Sequence, residues 1–219
     1  PHALRFTVLF GCALILASTG WALFGRIREP EHPPGVSARS PAELMAQGFW
    51  RLRHDAPFRR LLAARSVLNV WFAASPFVVL FAVRDLGGGG RAAGTFLIAR
   101  IAGFVLGNLV WPPLARAHGN RALMIAGTRL AGFLGLAAAA IAIASPAGRG
   151  WLGAAAAVLV LQALAFFGGA VHSGLSVGYA SLSIELAPPG ERQAFFSLLN
   201  TFLGPTLLLP AIAGAMLDV

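Results

Sequence analysis

The chain has 219 residues, of which 57% are hydrophobic and only 11% charged, and its mean hydropathy is +0.73. A soluble domain carries roughly 25% charged residues, so this composition excludes a water-facing globule and indicates a protein embedded in lipid. All 17 basic residues behind the formal charge of +9 are arginines, and without lysine there is no phosphate-loop lysine and no Schiff base to pyridoxal phosphate or retinal. Cys12 is the single cysteine; it excludes an intrachain disulfide and a cysteine metal cluster, and packing is its expected role. The arginines gather at the ends of apolar runs, not on a solvated face between aromatics, which argues against a nucleic-acid partner.

Apolar runs occupy residues 4–24, 61–83, 92–115, 122–145, 151–183 and 194–217. Alanine and leucine dominate them, they are too long for strands, and a lipid-embedded segment must satisfy its own backbone hydrogen bonds. The predicted fold is therefore all-α, a polytopic transmembrane bundle of about six spans. It divides into a first span over 1–24, a linker over 25–60 and five spans over 61–219.

In the linker, Pro30, Pro33, Pro34 and Pro41 predict irregular chain. Ser40, Pro41 and Glu43 then fit a capping box, with Met45, Phe49 and Leu52 on one face. A short helix over 41–54 follows, lying along the membrane surface or serving as a soluble linker helix. Ten arginines lie on the linker's side of the membrane (26, 28, 39, 51, 53, 59, 60, 116, 121 and 192) and four on the other (5, 84, 91 and 149). The positive-inside rule places the linker in the cytoplasm.

Polar side chains inside apolar runs are the candidates for a substrate cavity. In the second span Arg65, Asn69, Phe72 and Pro76 share a face, and in the third Arg100, Gly103, Gly107 and Trp111 do. Arg100 sits about 12 Å from the nearer end by helical rise, where it grips an anionic substrate, pairs with an acid or snorkels to the interface. Arg129 reads as a snorkelling anchor. The fifth span presents Gln162, Phe166, Gly169, Ser173 and Ser176, with His172 beside them. His172 is either a proton shuttle or a hydrogen-bonded packing residue. Gly168, Gly169, Gly174 and Gly178 are expected to bend this long run. In the last span Ser197, Asn200, Thr201 and Gly204 line up, as helix glue or as substrate contacts. No span holds an acid deep inside it.

Three stretches carry a family likeness. Residues Pro113, Leu114, Ala115, Arg116, Ala117, His118, Gly119, Asn120 and Arg121 resemble a cytoplasmic turn motif of the major facilitator superfamily; Gly119 and Arg121 are kept, while Arg116 stands where the family has an acid. Glu185 to Arg192, followed by Asn200, is similar to the inner turn before that family's eleventh helix, with Glu185 able to meet Arg192 or another surface arginine. Gly204, Pro205, Pro210, Gly214 and Asp218 resemble the eleventh helix itself. The resemblance implies the sixth to eleventh helices of a transporter with two six-helix halves, truncated before a last helix. It agrees with a chain that opens on Pro1 and His2 as a piece of something longer.

What the resemblance implies is a secondary active transporter of a small solute, working by alternating access in the plasma (cell inner) membrane. Its substrate-cavity candidates are Asn69, Phe72, Arg100, Gln162, His172 and Asn200, and its turn and gating candidates Gly119, Arg121, Glu185 and Arg192. No catalytic residue, metal or cofactor is implied. The expected partners are the solute, with or without a co-transported proton or ion, membrane lipid and the other half of its own chain. The alternatives are a non-transporting membrane scaffold and a membrane-embedded enzyme using His172 and Glu185 as acid and base.

Overall fold

The computed structural model describes residues 2–28 and 40–216. Pro30, Pro33, Pro34, Arg39 and Asp218 lie outside the described residues. Every regular element among the described residues is helical, and six helices are long and apolar enough to cross a membrane: Thr7–Phe24, Ala56–Arg84, Gly89–His118, Asn120–Ala144, Ala154–Leu186 and Arg192–Ala215. The chain divides into two compact units, Pro1–Ser40 and Pro41–Val219. In the first, α1 (His2–Phe24) is apolar from Thr7 to Phe24, and Cys12 is exposed on it where composition predicts packing.

The second unit begins with α2 (Pro41–His54) and α3 (Ala56–Arg84). Hydropathy places the start of α3 near residue 61, because Arg59 and Arg60 read as loop. The backbone starts it five residues earlier, since the Asp55 carboxylate accepts the Phe58 N–H at 3.0 Å and Pro57 occupies the first turn, where a proline lacks nothing it needs. α4 (Gly89–His118), α5 (Asn120–Ala144) and α6 (Ala154–Leu186) follow. One end of this unit carries α2 with the α4–α5 and α6–α7 turns; the far end carries the α3–α4 and α5–α6 turns. Large apolar side chains remain exposed on its outside, Leu136 at 74% and Leu109 at 70%, a surface that lipid or an apolar partner must cover.

The α6 glycines do not interrupt their helix. It runs unbroken for 33 residues, about 50 Å, and its glycines lie where other helices press against it. A Cβ on Gly169 would strike the Arg100 backbone, and one on Gly103 of α4 would strike the Phe166 carbonyl. Gly174 lies under the Trp111 ring, whose Nε1 donates to the Ala170 carbonyl at 2.6 Å. Gly178 faces Leu123 and Met124 of α5. The two helices α4 and α6 thus meet backbone to backbone, as small residues permit in lipid.

Between α4 and α5, Gly119 has φ 82° and ψ 159°, a region open essentially to glycine alone. Gly119→Ala is expected to lower stability by about 1 to 3 kcal/mol, read as a fall in the thermal midpoint of the detergent-solubilised protein.

The last span is interrupted: α7 (Arg192–Leu203), a 3₁₀ turn (Gly204–Leu208) and α8 (Leu209–Met216). Pro205 and Pro210 cannot donate to the carbonyls four residues back. The preceding residues do so instead by tighter bonds, Gly204 N–H to the Thr201 carbonyl and Leu209 N–H to the Thr206 carbonyl.

α2 keeps its expected bounds, and of its expected face Met45 and Leu52 are half-buried, Leu52 against the core, while the deepest positions are others. Gly48 and Arg51 are buried, Gly48 against Leu198 and Phe202 of α7, while Phe49 is 55% exposed and meets Phe202 edge-on at 5.5 Å. Close approach to α7 centres on Gly48, where a Cβ would strike Leu198 and Phe202. It also argues against a linker helix packed on nothing.

Candidate functional site

The close α4–α6 approach brings Arg100 to the centre of a row of side chains linking α3, α4 and α6. Arg100 Nη1 donates to Ser75 Oγ on α3, and its Nη2 lies 3.3 Å from His172 Nδ1 on α6. A guanidinium only donates, so Nδ1 is the acceptor and the ring proton sits on Nε2. The His172 ring lies 4.4 Å from the Phe72 ring and 5.7 Å from that of Phe104. The Phe72 ring also meets the Arg65 guanidinium, which lies 5.6 Å from it and 4.7 Å from the ring of Tyr179.

This row is cationic without a counter-charge. The acids of the described second unit, Glu43, Asp55, Asp85, Glu185 and Glu191, all stand at helix ends. Among the described residues the ion pairs of this unit are Arg51 with Asp55 and with Glu191, neither of them reaching the row. Arg65 Nη1 is buried with no hydrogen-bond partner there. A guanidinium inside a bilayer costs about 2.5 to 3.5 kcal/mol on insertion scales, which ring faces, Ser75 and His172 offset in part.

Beside Arg100, a cavity of about 670 Å³ lies between α3, α4, α5 and α6 and extends toward the far end. Its walls include Phe77, Phe96, Ala138 and Leu161, and Trp71, Ser75 and Arg100 lie together at its other end.

Other sequence candidates lie apart from the row. Asn69 Nδ2 donates to Thr206 Oγ1 at 2.6 Å, tying α3 to the 3₁₀ turn. Gln162 Nε2 donates to Thr95 Oγ1 at 2.6 Å, joining α6 to α4. Asn200 is exposed on α7, as are Arg121 and Arg192 at the α2 end. Glu185 accepts from Asn120 Nδ2 at 2.6 Å; the acid of this turn that meets an arginine is Glu191, paired with Arg51 of α2. Sequence reasoning missed Ser75, Tyr179 and the Arg51 pair. Ser75 had a signal, standing three residues beyond Phe72 on the same helical face.

A bundle of long apolar helices with polar side chains turned inward defines the class as a polytopic α-helical membrane protein. A family model described as MFS/sugar transport protein matches residues 1–184, and the chain belongs to that family. This membership points to a transporter and away from an enzyme. No curated protein and no solved structure gives a significant match to the chain.

Proposed function

We propose that the chain is part of a secondary active carrier that moves a small solute by alternating access, with Arg100, His172, Phe72 and Ser75 facing the route. The observation that carries this reading is the convergence of Arg100, Ser75 and His172 from three helices of a predominantly apolar bundle. Intramembrane cations are retained where they face a pathway or a polar partner, and here the partners are uncharged. Asn69, Gln162 and Asn200 belong to the supporting structure of this route, and the solute travels with or without a proton or ion. The arginine-rich α2 end faces the cytoplasm in this reading, by the positive-inside rule, with the α4–α5 turn at Gly119 and Arg121 and the α6–α7 turn at Glu185 and Arg192 serving the inner gate. The membrane is the plasma membrane, and the exposed apolar faces meet lipid and a further part of the same protein.

The test is gradient-driven uptake into proteoliposomes holding the full chain, using a labelled hexose, an amino acid and a monocarboxylate. Uptake of at least one above protein-free vesicles is expected, and Arg100→Gln should reduce it tenfold or more while leaving the thermal midpoint near that of the parent. Flux of none of them, or flux untouched by Arg100→Gln, would count against this assignment.

A further inference from the structure

Resting on the carrier reading, we propose that the cavity between α3, α4, α5 and α6 binds a carboxylate with an apolar body, its charged head at Arg100 and Ser75 and its body along Phe77, Phe96, Ala138 and Leu161. The volume of about 670 Å³ falls within the range of sites that enclose small organic ligands. The polar side chains on its wall are Arg100, Ser75 and the indole of Trp71, all at one end; the rest is aliphatic or aromatic. This division fixes the ligand's chemistry.

A polyol would bring hydroxyls to a wall that cannot partner them, and each buried unpaired group weakens binding substantially. An organic cation would meet the Arg100 guanidinium with no carboxylate near it. A fully neutral hydrocarbon would leave the guanidinium facing an apolar occupant. A monoanion satisfies both ends at once: Arg100 commits its two terminal nitrogens to Ser75 and His172, and a guanidinium carries five N–H donors in all, so further donors stay available to an oxygen anion. Ser75 Oγ accepts from Arg100 and keeps its own proton to donate.

Trp71 supplies the readout because it lines this cavity beside Ser75. The experiment titrates the full chain in nanodiscs with ω-bromoundecanoate, whose bromine quenches nearby indoles, and displaces it with octanoate, decanoate and decanol. The expected result is saturable quenching that Trp71→Phe removes, displacement by decanoate but not by decanol, and decanoate binding about tenfold or more tighter than octanoate, from roughly fourfold per buried methylene. Arg100→Gln should weaken binding at least tenfold. Ala138→Phe narrows the apolar part while sparing Arg100, and should penalise decanoate more than octanoate, a reversal that general misfolding does not produce.

Quenching that never saturates, that decanol displaces equally well, or that is unchanged by Arg100→Gln and by Ala138→Phe would overturn the proposal. So would equal, undisplaced quenching of Trp71 by a brominated phospholipid, which would assign the cavity to bilayer lipid. Absence of carboxylate binding with flux of another solute retained dismisses this ligand and leaves the carrier reading standing. Carboxylate binding without flux of any solute does the opposite.

Discussion

Replacing Gly103 or Gly169 by alanine is expected to destabilise the bundle by about 3 kcal/mol or more, at or beyond the top of the usual range for overpacking. A new Cβ at Gly103 meets the Phe166 carbonyl and one at Gly169 meets the Arg100 backbone; helix backbone has no rotamer by which to yield, so α4 and α6 must separate. Separation also pulls Arg100 from His172, which makes lost solute flux a second readout. The internal control is Gly132→Ala on α5, where a Cβ would find nothing within 4 Å; there helix propensity alone operates, and stability should hold or rise by about 0.5 to 1 kcal/mol. Thermal midpoints of the three variants in one detergent settle the matter. Equal midpoints would mean that the helices pass at a greater distance than the glycine contacts require.

The same contacts explain which features were legible in the sequence. Spans stood out because lipid leaves the chain little choice but a long apolar helix, and the helix at Pro41–His54 was bounded by its own proline and flanking polarity. The early start of α3 was hidden, because two arginines mask by hydropathy what a capping aspartate decides by hydrogen bonding. Arg100 and His172 were each visible as polar residues in apolar runs, but their meeting depends on the register in which Gly103 and Gly107 cross α6, a tertiary quantity that spacing along one helix does not contain. Asn69 shows the converse: its depth suggested a cavity, and its partner is Thr206, 137 residues away. The glycines of α6 stood out as sites of possible bending; that they also receive Arg100, Trp111, Leu123 and Met124 depends on the neighbouring helices and is invisible along one segment.

Arg51→Ala is expected to lower stability by about 3 kcal/mol, the lower edge of the range for breaking a buried ion pair. The Arg51 side chain is 7% exposed and is held by Asp55 at 3.2 Å, by Glu191 and by the Phe195 ring 5.5 Å away. Removing it strands Glu191, whose remaining contacts include Gln47 Nε2 at 3.1 Å; because Glu191 is 27% exposed, water compensates in part and keeps the effect from the upper edge. Arg51→Lys should recover less than half of the loss, since an ammonium cannot present the planar fork that reaches Asp55 and Glu191 together. The damage should be local. Amide exchange is expected to accelerate in α2 and at the start of α7 while α4 and α6 keep their protection, because the Arg51 cluster joins α2 to the α6–α7 turn and touches neither helix of the central pair. Unchanged exchange in α2 would show that Gly48, packed on Leu198 and Phe202, holds this helix without the ion pair. Uniform acceleration throughout would instead make α2 part of a single cooperative unit with the spans.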